Sequence, residues 1–226
     1  MNPVILCIET STTMCSVAIC DAEKIIASKE INAGYTHAEN LHVFIDEVLK
    51  SSGLSKKDLN AIAVGKGPGS YTGLRIGVSA AKGMAYALEI PLIGVNSLYN
   101  MAVYAQKSVP AQDVIFCPML DARRMEVYTA LYSNTLEEVK PTHALVVDEQ
   151  STSVFNTGKH PVFFGDGMPK CKELLEKIPD AIFIDNIFPS AINMQSCVVN
   201  AYKNKQFEDV AYFEPFYLKE FFTGAK

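Results

Sequence analysis

The stretch Gly67-Pro68-Gly69-Ser70-Tyr71-Thr72-Gly73-Leu74-Arg75 lies between a short apolar run at residues 61–64 and a helical pattern at residues 72–88. Glycines there permit a left-handed backbone and close approach of another group, and the start of a helix offers free N–H groups to an anion. The stretch lacks the lysine and hydroxyl residue that end a P-loop, and Ser70 and Thr72 stand where a dinucleotide-binding loop needs its third glycine. A structural tight turn is therefore favoured, with a phosphate site as the alternative.

The helix that follows this stretch is rich in small residues. They recur at three- and four-residue spacing at Gly73, Gly77, Ala80, Ala81 and Gly83. Each interior glycine costs about 1 kcal/mol relative to alanine, so several of them require a compensating contact. Close approach of the protein's own sheet would supply it, and a subunit interface on the same helix is the second interpretation.

The residues before the stretch predict three strands and a helix. Apolar runs at residues 4–9, 15–20 and 25–30 are separated by short polar turns, as in an antiparallel meander. At residues 37–52 the apolar side chains recur with the spacing of one helical face, and a glycine follows as a stop signal. These side chains are Leu41, Phe44, Ile45, Val48 and Leu49.

The remaining pattern predicts a second α/β half. A strand at residues 92–95 and a helix at 97–107 complete the first half, and Val109-Pro110 marks the predicted boundary. Further strands are predicted at 114–120, 126–132, 144–147, 162–164 and 181–184, with helices at 169–178 and 190–203. We therefore predict an α/β fold of two lobes, residues 1–108 and 109–226, each a mixed sheet with helices. The element order is that of the actin-like and sugar-kinase-like (ASKHA) fold, with the final segment packing back on the first lobe.

The composition describes a folded protein with a modest acidic excess. Of 226 residues, 49% are apolar and 20% are charged, and the formal net charge is −5. No apolar run approaches the roughly 20 residues that cross a bilayer, and the start of the chain lacks the basic region of a signal peptide. We therefore expect a cytoplasmic protein without membrane contact. If RNA is involved, another subunit is expected to supply most of the cationic grip.

The cysteines and histidines form no metal-binding pattern. The six cysteines include no C-x-x-C pair, and several lie in apolar runs where a thiol behaves as a small hydrophobe. His37 and His42 are five residues apart, which leaves their side chains about 140° apart around a helix. His143 and His160 stand in no motif. We therefore predict no metal site.

Several motifs together resemble one family across nearly the whole chain. GPGSYTGLR at residues 67–75 is similar to the G-P-G-S-F-T-G-L-R signature of the TsaB family, with Tyr71 in place of phenylalanine. Similar family motifs follow in order: ILCIETST from residue 5, GVNSL from residue 94, DARR from residue 121 and EPFYLK from residue 214.

The resemblance implies a non-catalytic scaffold or activator in the synthesis of N6-threonylcarbamoyladenosine, beside the anticodon of tRNAs that read codons starting with A. It implies a TsaD-like catalytic paralogue as partner, a TsaE-like ATPase in the same complex, and tRNA engaged indirectly through that complex. Weak binding of ATP or ADP with Mg²⁺ is implied only for the complex. Without that partner the chain could form a homodimer, and no protease activity is expected despite the family's glycoprotease-like label.

Two groups of residues stand where ASKHA proteins handle a nucleotide. They are Glu9, Thr10 and Ser11 at the end of the first strand, and Gly165, Asp166 and Gly167 between a strand and a helix. A carboxylate beside hydroxyl groups suits a hydrated Mg²⁺. A turn that bonds to its own side chains is the favoured interpretation.

The resemblance also implies an interface in which two helices pair with those of the partner. The implied contact residues are His37, Leu41, Phe44, Ile45, Tyr71, Gly73, Arg75, Gly77, Ala80, Ala81 and Met84. Separately, Asp121 and Arg123 predict a solvated ion pair in a β-turn. Contact with a partner or with tRNA through Arg123 and Arg124 is the alternative.

Three other functions stay open on the sequence alone. An active ATPase or small-molecule kinase of the ASKHA superfamily would turn over ATP without a partner. A metallo-glycoprotease would need a metal cluster that the sequence does not show. A homodimeric interaction protein would have no role in tRNA modification.

Overall fold

The structure, a computed structural model, describes residues 2–34, 36–109 and 112–219. The chain divides into two units, one formed by residues 1–97 with 189–226 and the other by residues 98–188. Of the predicted boundary Val109-Pro110, the second residue lies outside the described residues. The helices are α1 (His37–Ser52), α2 (Tyr71–Leu88), α3 (Ser97–Ser108), α4 (Met168–Leu175) and α5 (Gln195–Lys203). None of these helices is both long enough and apolar enough to cross a bilayer.

The first unit contains a five-stranded mixed sheet in the order β3-β2-β1-β4-β5. Its strands are β1 (Ile5–Glu9), β2 (Met14–Cys20), β3 (Ile25–Asn32), β4 (Ala61–Gly67) and β5 (Leu92–Asn96). The central strand β1 pairs antiparallel with β2 and parallel with β4. Every residue of β1 is buried, which explains the apolar run at residues 5–8. The predicted meander is confirmed.

Helices α1 and α2 cover one face of this sheet. Phe44, Ile45 and Val48 of α1 pack with Ile8 and Val17 of the sheet in one buried cluster. Burying a side chain of this size contributes roughly 1.5–3 kcal/mol. α1 ends where predicted, because the glycine after it adopts a left-handed φ of 69° and closes the helix with backbone hydrogen bonds.

The second unit repeats the topology of the first. Its sheet has the order β10-β9-β6-β7-β8, in which β6, β7 and β8 are antiparallel and β9 and β10 are parallel to β6. The strands are β6 (Val114–Asp121), β7 (Glu126–Ser133), β8 (Glu138–Val146), β9 (His160–Phe164) and β10 (Ile182–Ile184). No repeat is visible in the residues themselves. The prediction of two mixed sheets with helices is confirmed.

Two elements of the second half differ most from their predicted extent. Strand β8 starts six residues before the predicted residue 144. The prediction missed its first residues because the side chains of this strand are mostly half-buried or exposed and give no clear apolar alternation. The helix predicted at 190–203 begins as a 3-10 turn at Ala191–Met194, and α5 follows it.

The division of the chain also differs from the predicted lobes. Helix α3 was predicted to close the first lobe, but its buried residues Leu98, Met101 and Ala105 pack with Phe116 and Tyr132 of the second sheet. The first unit therefore ends at residue 97, the first residue of this helix, and not at residue 108.

Residues from 189 onward belong to the first unit. Ser190 Oγ donates to Glu30 Oε2 over 2.7 Å, and the N–H of Ala191 donates to Ser16 Oγ over 3.1 Å. Further along, the N–H of Glu208 donates to the backbone oxygen of Leu92 over 2.9 Å. These bonds fasten the end of the described chain to β2, β3 and β5.

Helix α2 starts directly against the turn that follows β1. Thr10 Oγ1 donates to Gly73 O over 2.8 Å, and the N–H of Ser70 donates to Ser11 O over 2.7 Å. A Cβ at Gly73 would overlap the backbone oxygen of Thr10, whereas a Cβ at Gly83 would meet no atom within 4 Å. Close approach within the chain therefore explains the first glycine but not the second.

Alanine substitutions at these two glycines are expected to shift stability in opposite directions. Gly83→Ala should raise the free energy of unfolding by up to about 1 kcal/mol, because alanine favours the helix and its methyl group meets open space. Gly73→Ala should lower it by about 1–3 kcal/mol, because the methyl group forces Thr10 away from α2. Urea unfolding of both variants measures the difference, and shifts of the same sign would contradict this packing.

Candidate functional site

The turn after β1 buries a carboxyl group. Glu9 is fully buried, and its Oε1 accepts the N–H of Ser11 over 2.8 Å. The carboxyl group fills the space that a Cβ at Gly65 would need. Burial raises the pKa of Glu9 above its ordinary value, and the hydrogen bonds from Ser11 and Thr10 offset only part of this effect. Among the described residues, Glu9 Oε2 has no hydrogen-bond partner.

The residues of this turn do not fit the hydrated Mg²⁺ that the ASKHA fold implies. Mg²⁺ keeps several waters in most protein sites, yet Glu9 and Thr10 are 0% exposed and Ser11 is 1% exposed. Thr10 commits its hydroxyl group to Gly73 O. The geometry agrees with the interpretation of a turn that bonds to its own chain.

The glycine-rich stretch is closed on its outer side. Gly67 has a φ of 104°, and a Cβ there would lie 3.1 Å from Phe216 O. The N–H of Phe216 donates to Lys66 O over 2.6 Å. Ser70 caps α2 by accepting the N–H of Gly73 over 3.3 Å. This arrangement favours the structural turn over the phosphate site.

Residues 208–219, here called the C-terminal strap, bind the two large side chains of the stretch. The ring of Tyr217 lies 5.0 Å from that of Tyr71, and its hydroxyl oxygen accepts Arg75 Nε over 3.3 Å. The guanidinium of Arg75 lies 4.1 Å from the centre of the Tyr71 ring. Lys82 Nζ donates to Phe213 O over 2.8 Å. Tyr71 and Arg75, expected to contact a partner, hold the protein's own strap.

Most of the other implied interface residues lie inside the first unit. The buried ones are His37, Leu41, Phe44, Ile45, Gly73, Gly77 and Ala81. The apolar stripe of α1 and the glycine face of α2 cover the sheet. These seven residues, expected to contact a partner, therefore belong to the core of the first unit. His37 Nε2 lies 2.7 Å from Thr12 O, and burial lowers the pKa of His37.

The exposed side of α2 is uncharged and, apart from one tyrosine, made of small or half-buried side chains. The outer face of α2 consists of Thr72, Ile76, Ser79, Ala80, Gly83, Tyr86 and Ala87, of which Ile76 and Ala80 are half-buried and the rest exposed. Three- and four-residue spacing places them on one side of the helix. The two charged side chains of α2, Arg75 and Lys82, bond to the strap. Met84 is half-buried against the core.

In the second unit, the Gly165-Asp166-Gly167 segment braces the end of β6. Asp166 Oδ1 accepts the N–H of Asp121 over 2.9 Å, and a Cβ at Gly165 would overlap Met119 O. Burial raises the pKa of Asp166. Close packing thus explains the glycine at 165. This segment and Glu9 belong to different units.

Asp121 pairs with a lysine and not with the predicted arginine. Its Oδ1 accepts Lys170 Nζ, and it also accepts the backbone N–H of Arg123 over 2.9 Å. Lys170 Nζ donates in addition to Glu126 O over 2.6 Å. The predicted ion pair between Asp121 and Arg123 is therefore wrong. The backbone N–H of Arg123 contacts Asp121, and its guanidinium group does not.

The histidines and cysteines of the described residues form no metal-binding cluster. Within residues 2–34, 36–109 and 112–219, no group of three or more His, Cys, Asp or Glu side chains is placed to hold a metal ion. His37 is buried and His42 exposed on α1. The six cysteines are free, and Cys7 Sγ lies 3.9 Å from Cys20 Sγ. Burial raises the pKa of Cys15 to about 11, as expected of an unreactive thiol.

Comparison with known sequences identifies relatives over most of the chain. The family model TsaD: tRNA N6-adenosine threonylcarbamoyltransferase matches residues 25–214. The tRNA threonylcarbamoyladenosine biosynthesis protein TsaB of Bacillus subtilis is 31% identical over 177 residues, which cover 77% of this chain and 76% of that protein. TsaB of Escherichia coli is 41% identical over 128 residues, which cover 57% of this chain and 54% of that protein. The match to the second relative thus spans about half of its length.

Solved structures show the same fold. YeaZ from Pseudomonas aeruginosa superimposes with a TM-score of 0.81 and 25% identity, covering 96% of this chain and 100% of that one. Ethanolamine utilization protein EutJ from Carboxydothermus hydrogenoformans, an ASKHA-fold protein, superimposes with a TM-score of 0.51 and 10% identity over 88% and 90% of the two chains. The predicted ASKHA fold is confirmed. With this fold, the Bacillus relative and the family match together, the chain belongs to the TsaB family of tRNA threonylcarbamoyladenosine biosynthesis proteins, which is related to TsaD.

Proposed function

We propose that this chain is a non-catalytic subunit that supports transfer of threonylcarbamoyl to N6 of an adenosine beside the anticodon, in tRNAs that read codons starting with A. Its partner is a TsaD-like paralogue that carries the transfer chemistry, with any ATP or ADP and Mg²⁺ bound at the level of the complex. A TsaE-like ATPase joins them, and the assembled complex engages tRNA in the cytoplasm. The TsaB relatives and the TsaD family match support this pathway.

The observation that carries the subunit role is Gly83 on the outer face of α2. A glycine inside a helix costs about 1 kcal/mol relative to alanine, and nothing within 4 Å of a Cβ at this position explains it. Exposed helix faces are usually charged, whereas this one is uncharged, with small residues next to Gly83 and one large exposed side chain, Tyr86. Such a face lets a second helix approach closely. Close packing of a partner helix would compensate for the glycine.

The groups that an ASKHA enzyme would use for chemistry are occupied by packing in this chain. Glu9 is enclosed beside Gly65, and Thr10 bonds to α2. His37 is bonded to the backbone of the same turn. These contacts support a chain in which the first-strand turn holds the fold together while a paralogue performs the transfer.

An active ATPase or small-molecule kinase is the second candidate function. The unpartnered Glu9 Oε2 favours it, because a bound ligand could satisfy this atom. It requires ATP turnover by the isolated chain. A homodimer without a tRNA role would use the same outer face of α2 to bind a second copy.

Gly83→Phe is expected to disrupt binding of the TsaD-like protein from the same organism. The ring would project from the outer face of α2 and hold a partner helix away, at a cost of at least about 2 kcal/mol, or roughly 30-fold in affinity. Calorimetric titration measures the loss. Ser196→Phe is the matched control, because it adds the same ring to an exposed position of α5. Unchanged binding by Gly83→Phe would sink the proposed interface.

Glu9→Gln separates the packing role of Glu9 from a catalytic one. The folded state binds the Glu9 proton more tightly than the unfolded state, because its folded pKa is raised. This contribution to stability is complete below the ordinary pKa of glutamate and is lost as the pH rises through the raised pKa. Urea unfolding measures the free energy of unfolding at about pH 5 and about pH 8. Its decrease between the two pH values should be smaller for Glu9→Gln than for the parent chain.

The same variant should retain full threonylcarbamoyl transfer in the reconstituted complex, because glutamine keeps the shape and packing of Glu9. Loss of an ATPase activity of the isolated chain in Glu9→Gln would instead establish the second candidate function.

Depletion of this chain in its host is expected to remove N6-threonylcarbamoyladenosine from bulk tRNA, because the paralogue would lack its scaffold. Nucleoside analysis by mass spectrometry measures the modification. Re-expression of the parent chain should restore it, while Gly83→Phe should not. An unchanged nucleoside profile after depletion would refute the tRNA role.

A further inference from the structure

Arginine is rare in this chain and confined to two places. Of twenty lysines and arginines, three are arginines, namely Arg75, Arg123 and Arg124. Arg75 is stacked on Tyr71 and bonded to Tyr217. The other two are adjacent in the turn between β6 and β7. Since lysine supplies positive charge elsewhere, the adjacent pair indicates a contact that needs the planar fork of guanidinium.

Both arginines of this turn hold a backbone conformation that arginine disfavours. The φ angle is 72° at Arg123 and 49° at Arg124. This left-handed region is adopted most easily by glycine and asparagine. Within the described ranges, no other two consecutive non-glycine residues share it. Both side chains are exposed. A disfavoured conformation that presents two like side chains at an exposed tip is typical of a functional contact.

A network beneath the tip fixes it and leaves the guanidiniums available. Asp121 accepts the N–H of Arg123, and the N–H of Asp121 donates to Asp166, each over 2.9 Å. Lys170 neutralises Asp121 and also bonds to Glu126 O. In the part of the chain that the structure describes, neither guanidinium of the tip takes part in an ion pair.

We propose that Arg123 and Arg124 form a phosphate-binding tip that contacts the backbone of the RNA substrate. The inference rests on the proposed function, in which that RNA is tRNA. Guanidinium binds phosphate oxygens in pairs, and two adjacent cations match a polymer of regularly spaced phosphates better than the scattered carboxylates of a protein. The chain as a whole is acidic, at −5, so a local cationic tip is the part suited to RNA.

The test uses the complex reconstituted with the TsaD-like and TsaE-like proteins and a transcribed tRNA that reads codons starting with A. Arg123→Asn/Arg124→Gly removes both charges while placing residues that accept the left-handed backbone, so this variant should fold at least as stably as the parent. Arg123→Lys/Arg124→Lys keeps the charge without the fork. Lys56→Ala/Lys57→Ala is the matched control, because it removes two adjacent exposed cations elsewhere. The readouts are tRNA affinity across a salt series and assembly of the proteins.

Arg123→Asn/Arg124→Gly should weaken tRNA binding about tenfold and reduce the slope of log affinity against log salt by about 1–2, as two lost phosphate contacts require. The lysine pair should keep most of the slope with weaker binding, and the control should match the parent. Parent-like binding by Arg123→Asn/Arg124→Gly, or an equal loss in the control, would overturn the inference. Failure of that variant to assemble would also overturn it, assigning the tip to a protein partner. Failure of the parent complex to bind or modify tRNA would refute the proposed function itself.

Discussion

The first unit depends on the contact between the start of helix α2 and the turn after β1. Two hydrogen bonds make it, from Thr10 Oγ1 to Gly73 O and from the N–H of Ser70 to Ser11 O. Both elements need partners here, since a helix start and a buried turn each leave polar groups that are costly to leave unpaired. The contact is close enough that a Cβ at Gly73 would overlap the turn. A stretch that resembles a ligand loop in the sequence is therefore a packing element of the fold.

This contact determines which surfaces are free to act. The inner side of the stretch meets the β1 turn, and the C-terminal strap covers it through Phe216 and Tyr217. The charged residues of α2 are engaged by the strap as well. The outer face of this helix, which stays largely exposed, is uncharged and, apart from Tyr86, made of small or half-buried side chains. The physical case for a docking function thus rests on this exposed surface of α2. On that surface, Gly83 lowers the stability of the helix, and no contact with the described residues of the chain compensates for it.

The elements that the sequence predicted well are those whose signals are local. The meander, α1 and α2 follow from apolar periodicity and stop residues, and the helical glycines correctly indicated a close approach. The sequence could not show which surface these helices pack against. An apolar stripe such as Leu41-Phe44-Ile45 has the same pattern whether it covers the protein's own sheet or another chain. The bond from Arg75 to Tyr217 joins residues 142 apart, and no local pattern announces it. Helix α3 was assigned to the wrong unit for the same reason, since its amphipathic pattern does not name the sheet beneath it.

The two units build one arrangement and use it differently. In each unit, a glycine near the end of the strand that lies parallel to the central strand packs against the end of that central strand. This glycine is Gly65 in β4 of the first unit and Gly165, directly after β9, in the second. A carboxyl group whose pKa is raised by burial stands at each contact: it belongs to the fully buried Glu9 of the strand in the first unit and to the half-buried Asp166 of the loop in the second. In the first unit α2 then closes over the neighbouring turn. In the second, the braced turn stays exposed and carries two arginines in a disfavoured backbone. Hydrogen bonds hold both turns to the same frame. The difference in their exposure and side chains therefore separates a turn that stabilises the fold from one suited to present charge to a ligand.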